Sequence, residues 1–345
     1  MSNQKLFNVA VVGATGAVGE QIIKLLESRE FPINELKLLS SARSAGTRLT
    51  FRGKEVLVQE ATPDSFRGVE IALFSAGGDV TKELAPHAIA HGAVCIDNTN
   101  AFRMDPETPL VVPEVNIEKI NEHKGLIANP NCSTIQMVAA LKPLQDKYGI
   151  AKIIVSTYQA VSGAGSRAID EMLRQTRASL DGDTVNPDIL PVGSLPVKHQ
   201  IAFNAIPQID KFQENGYTLE EMKMVRETKK IMGDESIQVT ATCVRIPVVY
   251  GHSESVYVEL KNDYDLEDVK QLLANAPGIT LVDDPAAQQY PLATEAAGKP
   301  DVFVGRLRRD LGTERGLNLW IVSDNLLKGA AWNAVQIAEY IAIGQ

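Results

Sequence analysis

The feature that most constrains the fold of this chain is a glycine-rich turn between its first strand and its first helix. The apolar run at residues 7–12 predicts a strand, and the apolar spacing over residues 20–27 predicts a helix. Between them, Gly13 allows a tight turn, Gly16 lets backbone approach a pyrophosphate, and Gly19 lets the helix pack on the strand. The arrangement predicts a dinucleotide-binding βα unit with the pyrophosphate at the helix N-terminus.

The end of the next strand bears on which dinucleotide binds. An NAD site usually carries Asp or Glu there, bonded to the ribose 2′-hydroxyl. After the apolar segment 36–39, this chain has Ser40, Arg43 and Ser44 instead. Hydroxyls and a guanidinium suit a 2′-phosphate, which predicts NADP as the cofactor. The alternative is a polar loop with a solvated arginine.

Further strands extend the same fold. Residues 70–74 predict a strand ending in a small-residue turn at Ser75 and Gly77, where a cofactor lies in an open α/β sheet. Residues 93–97 predict another strand, with Cys95 in the core. The alternation of strands and helices predicts an N-terminal Rossmann-type, doubly wound parallel sheet.

A cysteine stands in the polar turn 129–134, just before an apolar segment that predicts a helix. Near a helix N-terminus, backbone N–H groups and the helix dipole favour negative charge and lower a thiol pKa. Because it lies in a polar turn rather than an apolar run, Cys132 is predicted to be a thiolate nucleophile. The alternative is a small buried apolar residue.

Composition limits the functions open to the chain. Its 345 residues suffice for one large or two ordinary domains, and a net charge of −9 without a basic face argues against nucleic acid as a partner. The three cysteines are far apart and show no metal-binding spacing. The start of the chain lacks a secretory pattern, and no apolar run is long enough for a membrane span. We expect a cytoplasmic protein without a metal site.

The second half carries polar residues at strand ends. Gln159 follows a predicted strand at 150–158, and Arg245 lies inside an apolar strand, where a buried guanidinium needs an anionic partner. His252 begins the next strand, and a break between the two strands can change which face of the sheet it lies on. By itself His252 is weak evidence for a functional role, since a histidine in a turn is more often structural or solvated.

Two segments between these strands are less easily interpreted. Residues 181–216 lack periodicity and predict a long connection, which is usually functional, mobile or interfacial. Thr218 predicts the N-cap of a helix on which Glu220 and Lys223 share a face, by default as a solvated surface pair.

For Arg103, position alone slightly favours a surface charge over an anion-binding residue.

A dinucleotide site, a thiolate and a histidine together suggest one class of reaction. The thiolate attacks an aldehyde to give a thiohemiacetal, the histidine removes the hydroxyl proton, and hydride passes to the nicotinamide. The resulting thioester is then cleaved by an acceptor.

The motifs of this chain resemble those of the bacterial aspartate-β-semialdehyde dehydrogenase family, and they follow the family's order over nearly the whole length. The matching segments are Gly-Ala-Thr-Gly-Ala-Val-Gly, Ser-Ala-Arg-Ser, Asn-Pro-Asn-Cys-Ser-Thr, Tyr-Gln-Ala-Val-Ser-Gly-Ala-Gly, Glu-Glu-Met-Lys and Arg-Ile-Pro-Val…Gly-His-Ser. The resemblance implies reversible, NADP-dependent conversion of L-aspartate 4-semialdehyde and phosphate into L-4-aspartyl phosphate. In biosynthesis of lysine, threonine and methionine the reaction runs toward the aldehyde.

The resemblance also implies roles for individual residues. The roles are nucleophile for Cys132, acid/base for His252, substrate positioning for Gln159, carboxylate binding for Arg245, amine binding for Glu220, and phosphate binding for Arg103 and Lys223 with Asn131 nearby. The residues expected to contact NADP are Gly13, Thr15, Gly16, Ala17, Val18, Gly19, Ser40, Arg43, Ser44, Ser75, Gly77, Ser162, Gly163 and Asn325.

The family fold implies two domains and a homodimer. Residues 1–131 with 326–345 are expected to bind NADP, and residues 132–325 to form an α/β catalytic and dimerisation domain. One rival is a related enzyme of the N-acetyl-γ-glutamyl-phosphate reductase type. Another is an NADP-binding sensor without catalysis. The sequence leaves open whether dimers pair into tetramers and whether NAD is also used.

Overall fold

The computed structural model describes residues 5–343, and the chain divides into two compact units. The first unit takes in the described residues up to Asn131 and those from Ala330 onward, and the second is Cys132–Gly329. The predicted functional domains, with their boundaries after residues 131 and 325, remain a prediction. A division by compactness does not show what either part does.

The first unit alternates strands and helices along the chain. Its elements before the second unit are β1 (Phe7–Val12), α1 (Ala17–Ser28), β2 (Ile33–Ser40), β3 (Arg48–Phe51), β4 (Lys54–Glu60), β5 (Ile71–Phe74), α2 (Gly78–Ala90), β6 (Val94–Asp97), α3 (Pro113–Asn116) and β7 (Leu126–Ala128). Short 3₁₀ turns lie at Pro63–Phe66 and Ile117–Glu122.

The second unit begins with a helix and then builds a mixed sheet. Its elements are α4 (Cys132–Tyr148), β8 (Ile150–Gln159), α5 (Ser166–Asp181), α6 (Leu219–Met232), β9 (Gln238–Arg245), β10 (His252–Leu260), α7 (Leu266–Ala274), β11 (Ile279–Leu281), α8 (Ala293–Ala296), β12 (Val302–Arg309) and β13 (Gly316–Ser323). A 3₁₀ turn lies at Val161–Ala164. A π-helical turn at Leu327–Ala331 precedes the last helix, α9 (Trp332–Ile343).

The described residues of the first unit form a seven-stranded sheet in the order β3-β4-β2-β1-β5-β6-β7. All neighbouring strands are parallel except β3 and β4, which form an antiparallel hairpin at one edge. β5 is buried along its whole length, as expected for a parallel strand covered on both faces. The predicted Rossmann-type fold class is confirmed.

The first turn requires glycine for measurable reasons. Gly13 has φ +87°, in the left-handed region that side chains disfavour. A Cβ on Gly19 would lie 2.1 Å from the Gly13 carbonyl oxygen. Both positions therefore need glycine for α1 to start directly behind β1, and this start is where a pyrophosphate would bind.

In the described part of the second unit, six strands form a sheet in the order β11-β12-β13-β10-β8-β9. β9 runs parallel to β8 with Arg245 beside Gln159. β10 runs antiparallel to β8, and Ser253 lies opposite Tyr158. This register brings the start of β10, at His252, to the same end of the sheet as Gln159 and Arg245.

Candidate active site

Cys132 differs from the other two cysteines in its surroundings. It is the first residue of α4 and is partly exposed, whereas Cys95 and Cys243 are fully buried in strands. Burial raises the pKa of Cys95 to about 12, and burial raises the pKa of Cys243 well above its ordinary value. The prediction that these two are core residues is confirmed. Cys132 is the accessible thiol, at a helix start that favours negative charge.

The space around Cys132 depends on a glycine that the sequence patterns did not indicate. A Cβ on Gly329 would lie 2.7 Å from the Cβ of Cys132, closer than side-chain atoms approach one another. Gly329 follows β13 at the end of the second unit, so it is far from Cys132 in sequence. No local spacing relates these two positions.

Gln159, Arg245 and His252 lie together at one end of the second unit's sheet, and each is nearly or completely buried. The Gln159 side-chain amide donates to Glu220 Oε1 at 3.3 Å, and Arg245 Nη1 donates to the Ala160 carbonyl at 2.7 Å. The structure therefore brings four of the predicted catalytic and substrate-binding residues into one buried group. Their individual roles remain predictions.

Arg245 is a buried guanidinium with an anionic neighbour, as the sequence required. Burial lowers the pKa of Arg245, while the nearby Glu220 carboxylate and the Cys132 sulfur act in the opposite direction. Arg245 is thus close to both the candidate nucleophile and a carboxylate. Its backbone N–H and C=O also bond to Ile206, at 2.9 Å in both directions, which fixes the end of β9.

His252 is fully buried and held at its ring. The Ala160 backbone N–H donates to His252 Nδ1 at 3.1 Å. A Cβ on Gly163 would lie 3.3 Å from both Cε1 and Nε2, so the glycine leaves room beside that edge of the ring. Burial, together with the positive charge of Arg245 and against the opposing effect of Glu220, lowers the pKa of His252 to about 3. The imidazole is therefore neutral at physiological pH.

Glu220 and Lys223 do not form a solvated surface pair, so that default interpretation was wrong. Glu220 is buried, and Lys223 donates to Glu220 Oε2 at 3.1 Å and to Asp210 Oδ2 at 3.2 Å. The predicted N-cap is confirmed, since Thr218 accepts a hydrogen bond from the Glu221 backbone N–H. α6 therefore presents a linked group of charges toward β9 and β8.

Asp210 comes from the long connection, residues 181–216, whose role the sequence left open. That connection also supplies Ile206, which pairs with Arg245 through the backbone. The segment therefore reaches two of the candidate substrate-binding residues, Arg245 and Lys223. Sequence patterns missed Asp210 because an aspartate in an aperiodic segment carries no local signal of its tertiary neighbours.

Arg103 and Asn131 lie in the first unit, in and after the loops that precede Cys132. Arg103 is 7% exposed, so the surface alternative was wrong. Its Nε donates to the Asn129 carbonyl at 2.9 Å and its Nη2 to the Asn98 carbonyl at 2.8 Å. Arg103 thus braces the polar turn from within. Phosphate binding by Arg103 and Asn131 remains a prediction.

A cleft of about 440 Å³ in the first unit is lined by half of the residues predicted to contact NADP. The predicted residues lining it are Gly13, Thr15, Gly16, Ser40, Arg43, Ser44 and Ser75. Two carboxylates that the sequence interpretation did not count, Glu60 and Glu83, line the same cleft. Glu60 stands beside Ser40 in the neighbouring strand. The glycine cradle, the hydroxyls and the guanidinium fit a dinucleotide.

The remaining predicted cofactor residues fall into two groups. Ala17, Val18 and Gly19 form the first turn of α1, and Gly77 precedes α2. Ser162 and Asn325 belong to the second unit, where their side chains bond at 3.0 Å and Asn325 accepts the Gly251 N–H at 3.0 Å. Together with Gly163, these residues form a polar group around the start of β10. Their contact with NADP remains a prediction.

None of the helices within residues 5–343 is long and apolar enough to cross a membrane. The same range contains no group of three or more His, Cys, Asp or Glu side chains suited to a metal ion.

Two family models match the chain. Residues 8–123 match the semialdehyde dehydrogenase NAD binding domain, and residues 141–328 match the semialdehyde dehydrogenase dimerisation domain. The chain therefore carries a nicotinamide-nucleotide-binding domain of this family followed by its dimerisation domain.

Known proteins are similar along almost the whole chain. An aspartate-semialdehyde dehydrogenase of Bacillus subtilis is 63% identical over 333 residues, covering 96% of each chain. A crystal structure of aspartate semialdehyde dehydrogenase II from Vibrio cholerae, described as complexed with ASA, has a TM-score of 0.92 and 51% identity, covering 97% of this chain and 98% of that one. A Candida albicans enzyme with NADP has a TM-score of 0.74 and 27% identity, with coverage of 97% and 98%.

These similarities join both units of the chain to one kind of enzyme. The family models cover each unit separately, and the relatives cover both together. The resemblance indicated by the sequence motifs is thereby confirmed. The chain belongs to the aspartate-semialdehyde dehydrogenase family.

Proposed function

We propose that this chain catalyses the reversible, NADP-dependent reductive dephosphorylation of L-4-aspartyl phosphate to L-aspartate 4-semialdehyde. The observation that carries the proposal is the pair of buried, opposite charges near Cys132. Arg245 is 4% exposed and Glu220 is 5% exposed. A guanidinium suits a carboxylate, and a carboxylate suits an ammonium group. Together they match the α-carboxylate and α-amine of an amino-acid substrate.

The reaction proceeds through a thioester on Cys132. The Cys132 sulfur attacks the acyl carbon of the acyl phosphate, so a C–S bond forms and the C–O bond to phosphate breaks. Arg245 and Glu220 hold the two ends of the amino-acid group, and Gln159 positions the acyl carbon. NADPH supplies a hydride when bound. The aldehyde then leaves and Cys132 returns as a thiolate.

The preference for NADP rests on Arg43 with Ser40 and Ser44. These side chains line the cleft where the ribose 2′-position is expected, and a guanidinium favours a phosphate there. For the inorganic phosphate that the reverse reaction consumes, we assign Lys223, Arg103 and Asn131. The biosynthetic direction supplies the pathways to lysine, threonine and methionine.

We further propose that the chain works as a homodimer through residues 132–325, with NADP bound by residues 1–131 and 326–345. Large apolar side chains are exposed on and after α5, including Leu173, Leu180 and Phe203. Exposed apolar surface of this kind is typical of a contact between proteins. Light scattering measures the mass directly, and a monomeric mass at micromolar concentration would contradict the proposal.

The experiment that tests the activity follows NADPH absorbance with aspartate semialdehyde, with and without phosphate. Wild-type protein is expected to need phosphate. Cys132→Ser is expected to lose at least about 10³-fold in rate because the nucleophile is gone. Cys95→Ala, which removes a buried thiol, is the matched control and should remain active. Wild-type protein without phosphate-dependent turnover would overturn the proposal.

A further inference from the structure

We infer that Asp210 is a specificity-determining residue of this enzyme, which acts through Lys223 to make the site select a substrate with a free amine. The inference rests on the proposed function, because it concerns how Glu220 binds the ammonium group of the substrate. Asp210 belongs to the long connection, residues 181–216, to which the sequence assigned no definite role.

The backbone around Asp210 is held on both sides. Before it, Ile206 exchanges two backbone hydrogen bonds with Arg245 at the end of β9, at 2.9 Å each. After it, the Lys211 carbonyl accepts the backbone N–H of Leu219 at 2.9 Å, at the start of α6. Asp210 is therefore positioned by the same strand and helix that carry the candidate substrate-binding residues.

Asp210 itself adopts a conformation that few residues accept. Its φ is +67°, in the left-handed region, where Asp and Asn are tolerated more readily than other residues with a side chain. One carboxylate oxygen, Oδ1, accepts the Lys211 backbone N–H at 2.8 Å, and the other, Oδ2, accepts Lys223 Nζ at 3.2 Å. The first bond fixes the side chain, and the second places its charge against the ammonium group.

Lys223 is shared between two carboxylates, which decides the charge of the group. Lys223 Nζ lies 3.1 Å from Glu220 Oε2 and 3.2 Å from Asp210 Oδ2. These three side chains together carry one negative charge. With the Arg245 guanidinium, which lies within electrostatic reach of Glu220, the set is neutral. Without Asp210, the same set would carry one positive charge.

This charge balance matches a free amino acid. An α-carboxylate and an α-ammonium group together carry no net charge, so a neutral set of side chains suits them. A set with one excess positive charge would still attract the carboxylate but would repel the ammonium group. It would favour an N-acylated amino acid, which keeps the carboxylate and lacks the ammonium. The Cys132 sulfur adds a negative charge when it is ionised, and it does so equally with and without Asp210.

The expected effect of Asp210 is moderate, because its charge is neither sealed from solvent nor in direct contact with the substrate amine. The side chains of Lys223 and Asp210 are 20% and 29% exposed. Solvent screens charges at this depth in part, so the loss of one charge should change the binding of an ammonium group about tenfold. Glu220, which contacts the amine in the proposed function, should have a larger effect.

The first test compares Asp210→Asn with the wild type in steady-state assays. Asn has nearly the same shape and tolerates the left-handed backbone, so the variant loses mainly the charge. We expect KM for aspartate semialdehyde to rise about tenfold, and KM for phosphate to fall because Lys223 has one carboxylate fewer to bind. The preference for aspartate semialdehyde over its N-acetyl derivative, as a ratio of kcat/KM, should fall by about tenfold or more.

An unchanged KM for aspartate semialdehyde, or an equal rise in both KM values, would overturn the inference, since a purely structural role would not separate the two substrates. Asp263→Asn is the control, because Asp263 lies in the same unit, is 92% exposed and pairs with Arg315. Its kinetic constants should stay at the wild-type values. Absence of wild-type turnover would instead overturn the proposed function, on which the inference depends.

The second test restores the charge balance by a compensating change. The double variant Asp210→Asn with Lys223→Gln loses one charge of each sign, so the net charge of the set returns to its wild-type value. We expect KM for aspartate semialdehyde to fall from that of Asp210→Asn toward the wild-type value, while KM for phosphate rises because a proposed phosphate ligand is gone. A KM for aspartate semialdehyde higher than that of Asp210→Asn would show that Asp210 acts through structure rather than charge, and would overturn the inference.

Discussion

The candidate cofactor cleft of the first unit and the buried residues of the second unit hold their charges in opposite environments. In the cleft, Arg43 is exposed and shares the space with Glu60. In the second unit, Arg245 and Glu220 are almost completely buried and close enough for the carboxylate to raise the pKa of the guanidinium. Water screens the first pair of charges, whereas the buried charges of the second unit depend on neighbouring side chains for compensation, including Lys223 beside Glu220.

The two environments predict different consequences when a charge is removed. Removing one partner of a buried pair leaves the other charge without compensation, which costs about 3–5 kcal/mol. Removing an exposed charge costs far less because solvent replaces it. Removal of one charge should therefore have a strong effect on catalysis in the second unit and only a mild effect on cofactor choice in the first.

The largest effect is expected for Glu220→Gln. The change removes the negative charge beside Arg245 and the proposed partner of the substrate amine. We expect kcat/KM for aspartate semialdehyde to fall about 10²- to 10³-fold, measured by steady-state kinetics. An enzyme of the N-acetyl-γ-glutamyl-phosphate reductase type, whose substrate has no free amine, would hardly respond.

The control for this experiment is Glu267→Gln. Glu267 has the same side chain on a helix of the same unit, but its side chain is 71% exposed and pairs with Lys270. We expect this variant to keep its wild-type rate. If the two variants lost equal activity, the contrast between buried and exposed charges would not hold.

The next largest effect concerns stability rather than rate, at Glu254. Its side chain is completely buried two positions after His252, and burial raises its pKa well above the ordinary value. The Gln136 amide is close enough to offset part of this effect, although no hydrogen bond of normal geometry joins the two groups in the described residues. We expect Glu254 to be neutral in the folded protein.

The sign of the pH dependence follows from that raised pKa. Below the unfolded pKa, about 4.3, Glu254 is protonated in both states and favours neither. Above it, the unfolded chain ionises first, so the wild type loses about 1.4 kcal/mol of stability per pH unit until the folded pKa is reached. Glu254→Gln lacks this loss. In urea unfolding from pH 5 to about 7, the free energy of unfolding of the variant should rise relative to that of the wild type as the pH rises.

A stability difference that stays constant over this pH interval would show that Glu254 is already charged in the fold. Glu267→Gln again serves as the exposed control.

The sequence predicted best what local spacing determines. The strand, glycine turn and helix at the start of the first unit follow from neighbouring residues, and the structure has β1 and α1 at those places. The β3–β4 hairpin was missed because both strands are largely exposed and β3 is a four-residue strand at the edge of the sheet. Edge strands carry little apolar periodicity.

The candidate site was only partly predictable, because its members meet through tertiary structure. Arg245 and His252 are seven positions apart, which would place them on opposite faces of one continuous strand. The break between β9 and β10 resets this relation, and the pairing with β8 brings both residues to the same end of the sheet. Only the strand register determines whether Arg245 and His252 lie together.

Other members of the site had no sequence signal of any kind. Ala160 acts through its backbone N–H, which every residue except proline has. Gly329 matters because Cys132 lies against it, and Asp210 because Lys223 reaches it. The charges of Glu220 and Lys223 predicted exposure by default, and only the packing of α6 on β9 buried Glu220.

The smallest effect is expected at Arg43, and it tests the exposed side of the comparison. Arg43→Ala should lower the NADP-to-NAD ratio of kcat/KM about tenfold, mainly through KM for NADP, because a charge-assisted bond to the 2′-phosphate is lost. The effect should shrink as salt is added, since Arg43 is open to solvent.

Glu60→Gln is the matched variant on the other side of the same cleft. Its carboxylate, beside Ser40, repels a phosphate, so its removal should raise the NADP-to-NAD ratio by a few-fold. Opposite changes in the two variants would establish that cofactor choice is set by a balance of two screened charges. An unchanged ratio in Arg43→Ala would show that Arg43 does not affect cofactor choice. A loss as large as the loss of kcat/KM in Glu220→Gln would show that an exposed charge matters as much as a buried one. Either result would contradict the contrast between the exposed cleft and the buried site.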